Sequence, residues 1–198
     1  MTLNKAETKV HAILAAAEVL FEQHAYADVS MRDIAEAAEV TTGALYHYFP
    51  GKEQLYIDMM LAYFSRVRQA SLEATPPTGD IRTRLRLLTR GYLALPPEQR
   101  RMMELIRRDI NVFKGRTREG LVRAYQATVP DLVETVVRQG IENGELQPRD
   151  VRWLSWAYVA IVETTLAEYA EQKLGDIDVR LEAALDLFLD GAGAGHAH

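Results

Sequence analysis

Residues 29–55 read VSMRDIAEAAEVTTGALYHYFPGKEQL, and this stretch decides how the front of the chain folds. Met31, Ile34, Ala35 and Ala38 recur at helical spacing, and Ser30 stands just before them, placed to cap a helix. Asp33, three residues on, completes a capping box. A short turn at Glu39-Val40-Thr41 follows. Thr41 is the expected N-cap of a second, short helix, with Val40 and Leu45 spaced as a hydrophobic staple across that cap. Leu45 and Phe49, four apart, share the inward face. Pro50 disfavours helical geometry in the residue before it, so the short helix must stop near Phe49. That leaves Thr42, Gly43, Tyr46 and His47 on the outside, flanked by Tyr48.

An outer surface of this kind is unusual for a helix that only packs. It is polar and aromatic, and residues 40–52 contain no acid. A glycine in the first turn costs about 1 kcal/mol relative to alanine. Close approach of another molecule to the backbone would offset that cost. Laid in a major groove, such a helix brings its N-terminal residues to base edges and its flanks to phosphates. Tyr and His side chains reach phosphate oxygens, and Lys52 adds charge at the next helix start.

This run resembles the helix-turn-helix of the TetR/AcrR family, in which a Tyr-His-x-Phe element is followed by a Lys on the next helix. Here the element is Tyr46-His47-Tyr48-Phe49, with Lys52 after it. The resemblance implies an all-α, nine-helix architecture: a three-helix DNA-binding module followed by a helical ligand-binding and dimerisation domain. It also implies that Thr42, Gly43 and Ala44 lie against bases. Thr41, Tyr46, His47 and Lys52 would touch the sugar-phosphate backbone, and Ser30, Arg32 and Tyr48 complete the expected DNA-facing set. The family usually carries Gly in the turn where this chain has Glu39, so a strained residue or an altered turn is expected there.

The rest of the chain also reads at helical period. Val10, Ile13, Leu14, Ala17, Leu20 and Phe21 form the stripe of a first helix. A fourth helix is expected over 52–72, and the breaker cluster at 75–79 is read as a joint between modules. Five more helices are expected over 81–95, 97–113, 118–143, 150–174 and 178–190. The domains are therefore 1–52, a helix-turn-helix module, and 53–190, an effector-binding and dimerisation domain. Residues 52–72 connect the two, and 191–198 form a flexible tail.

Over 151–166 the helix expected at 150–174 is apolar nearly all round, and the last helix is similar, so both should be buried on more than one side. The resemblance implies that this pair meets its twin in a homodimer through a four-helix bundle. It also implies a pocket for a small-molecule effector. The candidate lining residues are Tyr92, Met102, Met103, Ile106, Phe113, Tyr125, Trp153, Trp156 and Tyr169, with Glu163, Thr164 and Asn111 as polar anchors. A basic run over 100–123 is read as a solvated helix face.

Composition limits the alternatives. The 198 residues include no Cys, which removes thiolate nucleophiles, disulfides and Cys-ligated zinc. No metal-ligand spacing links His11, His24 and His47, so neither metal nor cofactor is expected. The glycine-alternating tail at 191–195 lacks the strand and helix of a phosphate loop. The greasiest stretch, 153–162, is about half the roughly 20 residues that span a membrane. With no leader-like start, a cytoplasmic protein is expected.

The net charge of −5 does not itself point to nucleic acid. Residues 1–52 hold four bases (Lys5, Lys9, Arg32, Lys52) against seven acids (Glu7, Glu18, Glu22, Asp28, Asp33, Glu36, Glu39). The motif, not the charge, carries the reading: a ligand-responsive repressor that binds a pseudo-palindromic double-stranded DNA operator as a homodimer. The alternative is a helical small-molecule-binding protein or enzyme whose front helices are structural only. Steep weakening of binding with salt would favour the first.

Overall fold

The computed structural model describes residues 5–96, 100, 102 and 108–192. All the regular elements among them are helical, and they fall into two compact units. The front unit comprises Met1–Ser65 and Pro96–Ala124, and the rear unit Arg66–Leu95 and Tyr125–His198.

The front unit opens with α1 (Lys5–Gln23), a 3-10 turn (Tyr26–Asp28), α2 (Met31–Ala37) and α3 (Thr42–Tyr48). The apolar stripe of α1 is buried through Ile13, Ala17 and Phe21, together with Ile34 of α2 and Leu45 of α3. Next comes α4 (Lys52–Ala74), whose Leu55, Tyr56, Met59 and Met60 are all buried. The boundary between compact units falls within α4, after Ser65, and so differs both from the expected division at 52 and from the breaker cluster at 75–79.

The rear unit is built on α5 (Ile81–Leu93), α7 (Val129–Glu142), α8 (Val151–Thr165) and α10 (Ile177–Ala192). One core joins Leu85, Leu88, Val133, Val137, Leu154, Tyr158, Leu185 and Phe188. Asp80 caps α5 through the Thr83 amide at 2.9 Å, and Asp150 caps α8 through the Trp153 amide at 2.7 Å. Gly91 of α5 lies so close to α4 that a Cβ there would stand 2.5 Å from the Ala70 carbonyl oxygen. The crossing tolerates no side chain.

Two expected helices are each divided. Residues 118–143 hold the later part of α6 (Gly115–Gln126) and then α7, interrupted at Ala127 and Thr128. Pro130 explains the break: it donates no amide and its ring clashes with a preceding turn of helix. The freed carbonyls find partners, Tyr125 O from the Thr128 hydroxyl and Ala127 O from Arg68 at 2.7 Å. Residues 150–174 hold α8 and the short α9 (Glu168–Lys173). Thr164 and Thr165 turn their hydroxyls back onto the carbonyls of Ala160 and Val162, and the buried Arg180 takes Thr165 O. Hydroxyls that bond backward in this way compete with continued helix. Most of the helix expected over 97–113 lies outside the described residues.

Candidate nucleic-acid interface

The capping box at Ser30 is complete. Its amide donates to Asp33 Oδ2 at 2.8 Å, and its Oγ accepts from the Asp33 amide at 3.2 Å. The Ser30 hydroxyl also donates to Asp33 Oδ2 at 2.7 Å, and this bond first, then that from the Ser30 amide, holds the Asp33 carboxyl below its ordinary pKa. Helix α2 then ends in a pair of tight bonds: the Glu39 amide to Glu36 O at 3.1 Å and the Val40 amide to Ala35 O at 2.9 Å. This is the Schellman arrangement, which places its C′ residue in the left-handed region. Glu39 occupies that place with φ 53°, so the turn keeps its geometry and the glutamate carries the strain of about 1 kcal/mol that glycine would avoid.

Thr41 caps α3, its Oγ1 accepting from the Ala44 amide at 3.1 Å. Leu45 and Phe49 are buried. Thr41, Thr42, Gly43 and His47 are exposed, as are Ser30 and Arg32. Tyr46 is 51 % exposed, Ala44 and Tyr48 are half-buried, and the His47 and Tyr48 rings meet edge-on at 5.4 Å. One surface therefore gathers Thr41, Thr42, Gly43, Tyr46 and His47. A Cβ added to Gly43 would meet nothing within 4 Å, so no neighbour inside the chain requires glycine there.

Lys52 has partners inside the chain. Its ammonium donates to Tyr26 O at 2.7 Å and Val29 O at 2.8 Å, and lies 4.4 Å from the Tyr26 ring centroid. A cation with those partners is a clamp on the front unit's own backbone. Around it the structure gathers Tyr26 and Tyr56, which the sequence did not single out, with Phe21 and Phe113, which it assigned elsewhere. The Phe21, Tyr26, Tyr56 and Phe113 rings form one cluster with centroids 4.7–6.0 Å apart. Burial, with Asp109 beside it, pushes the Tyr56 hydroxyl far above the ordinary tyrosine range. The expected basic face is not wholly solvated either, because Arg108 grips the buried Asp109.

The expected effector-pocket residues are divided between the two compact units. Phe113 belongs to the front aromatic cluster, and Met102 is buried and also falls within the front unit. Trp153 and Tyr169 are about 70 % exposed, because each points away from the rear core. Trp156 lies beside Trp153, Asp150 and Arg152 along an open groove, with Tyr125 tilted against its ring and bonded to Glu163 at 3.2 Å. Asn111 and Thr164 are exposed, and Tyr92 is half-buried. Met103 and Ile106 lie outside the described residues. Among the described residues no cluster of His, Asp or Glu could hold a metal, and no helix is long and apolar enough to cross a membrane.

A sequence model described as bacterial regulatory proteins, tetR family, matches residues 13–59, which span α1 to the first turns of α4. Over these residues the front of the chain is similar to the tetR family. The protein named probable acrEF/envCD operon repressor, from Escherichia coli strain K12, is 28% identical over 129 residues. Those residues are 63% of this chain and 58% of that protein, so the match spans less than two thirds of the relative's length. A structure described as a transcriptional regulator of the TetR family from Vibrio parahaemolyticus superposes with a TM-score of 0.77, covering 93% of this chain and 98% of that one at 24% identity. AibR, solved in complex with isovaleryl coenzyme A and operator DNA, gives a TM-score of 0.72 at 20% identity, covering 90% and 97%. At these identities the structural likeness establishes the TetR fold.

Proposed function

We propose that this chain is a transcriptional regulator of the tetR family, not an enzyme, and that it represses by binding a pseudo-palindromic operator as a homodimer in the cytoplasm. The observation that carries the reading is Gly43: a helix-weakening residue on an exposed face, with open space around it and no internal reason for being glycine. An external surface pressed against the α3 backbone supplies that reason. Thr42, Gly43 and Ala44 then face base edges, while Thr41, Tyr46, His47 and Tyr48 meet phosphates, with Ser30 and Arg32 beside them.

The dimer is supported by apolar surface that one chain leaves uncovered. On α8, Trp153, Trp156 and Ala160 are exposed; on α10, Val179, Ala183 and Leu187 are exposed. Both rows follow helical spacing on neighbouring helices, which suits a self-complementary twofold contact. Two recognition helices about 34 Å apart would then meet successive major grooves. A small-molecule effector is proposed by analogy with AibR, which was solved with both a coenzyme A ester and DNA. In the rear unit, Tyr92, Tyr125 and Glu163 remain its candidate contacts.

The test is a shift assay on DNA upstream of the gene, at two salt concentrations, with Gly43→Ala and Tyr46→Ala. The expected result is that Gly43→Ala melts no earlier than wild type yet binds at least about tenfold more weakly, a difference of about 1.4 kcal/mol. Undiminished binding by both variants removes α3 as the contact surface.

A further inference from the structure

The connection between α1 and α2 is held by cations from outside it. Arg108 Nη2 donates to His24 O at 3.1 Å, while Lys52 takes Tyr26 O and Val29 O. His24 follows the last turn of α1, which contains no basic residue of its own, so Arg108 supplies the cation that the carbonyl end of that helix lacks. Arg108 is itself held in two-pronged fashion: Nε to Asp109 Oδ1 at 2.8 Å and Nη2 to Asp109 Oδ2 at 2.9 Å. Asp109 is 3% exposed and also accepts the Tyr56 hydroxyl of α4 at 3.2 Å. The Tyr56 ring packs against Phe21, near the end of α1. The relay thus runs from α4 through Tyr56, Asp109 and Arg108 to the end of α1, within the front unit.

We propose that Arg108 and Asp109, far from the helix-turn-helix in sequence, are positioning residues for DNA recognition. They fasten the backbone that leads into Ser30, and so set how α2 and α3 are presented. This rests on the regulatory reading above. A contact surface made of short polar side chains on a seven-residue helix has little reach with which to correct a misplaced backbone. Supporting groups must therefore hold it. Neither residue needs to touch the duplex. The stretch that carries them is distant in sequence from residues 1–52, yet belongs to the same compact unit.

The test uses the full chain with Arg108→Ala, Arg108→Lys and Asp109→Asn. It reads amide hydrogen exchange across residues 24–34 and 129–142, and affinity for the upstream DNA at several salt concentrations. Lysine retains the charge, but one ammonium cannot reproduce the fork that spans Asp109 and His24 O. The expected result for Arg108→Ala is about tenfold faster exchange at 24–34 with 129–142 unchanged, and about tenfold weaker DNA binding. The slope of affinity against salt should stay as in wild type, because no phosphate contact is lost. Arg108→Lys should fall between the two, and it carries the same comparison if the alanine variant does not fold.

Unchanged exchange at 24–34 overturns the clasp. Faster exchange with undiminished affinity overturns its role in recognition. A salt slope lower by about one identifies Arg108 as a phosphate contact instead and also overturns the proposal. A wild-type chain that fails to bind the DNA overturns the regulatory reading and the recognition role together. The exchange measurements then show separately whether the clasp exists.

Discussion

The outer face of α3 and the outer face formed by α8 and α10 are both exposed, yet they differ in chemistry. The first is small and polar, built from Thr41, Thr42, Gly43 and His47 around a single tyrosine. The second offers two indoles and aliphatic side chains, with Trp153 69% and Leu187 66% exposed. A polar face is stable in water and can wait for a hydrated, charged groove. An apolar face of that size calls for a protein partner, since burial stabilises by roughly 25 cal/mol for each Å² removed from water. One chain thus presents two surfaces suited to different partners, and the comparison predicts that they fail in different ways.

The largest effect is expected at the apolar face. The double substitution Trp153→Glu and Leu187→Glu should give a monomer in sedimentation and weaken operator binding by about a hundredfold, close to 2.7 kcal/mol. A dimer that persists with both charges in place would break the contrast. Lys52→Ala should come next. It leaves two carbonyls without their charged donor and should lower stability by about 2 kcal/mol in denaturant titration, while the salt slope of DNA binding stays as in wild type. A slope reduced by about one would return Lys52 to the phosphate-facing set. The smallest effect is expected at the turn. Glu39→Gly relieves a left-handed glutamate and should raise stability by about 1 kcal/mol, read from the melting temperature. Loss of stability there would mean that the glutamate has a compensating partner.

The legible parts of the molecule were those governed by near neighbours. The caps at Ser30 and Thr41, the inward pair Leu45 and Phe49, and the stop before Pro50 depend on residues within a few positions of one another. The surroundings of the expected pocket residues were not legible, for the opposite reason. An aromatic or methionine at helical spacing reads alike whether it lines a cavity, fills a core or faces a partner, and Phe113, Met102 and Trp153 have different fates. The two divided helices lie between these cases: Pro130 was visible, whereas the capping of Thr165 O by Arg180 needed the fold.

Residue order alone determined the helical class, the helix-turn-helix and the side chains on the outer face of α3, because capping and periodicity act through bonds three to five residues apart. Tertiary structure alone decided that Lys52 turns onto Tyr26 and Val29, and that Arg108 reaches His24. It also decided that α4 is shared between two compact units. A long cationic side chain can meet many acceptors. Which one it meets is chosen by what packing brings within hydrogen-bond distance, and no local pattern encodes that distance.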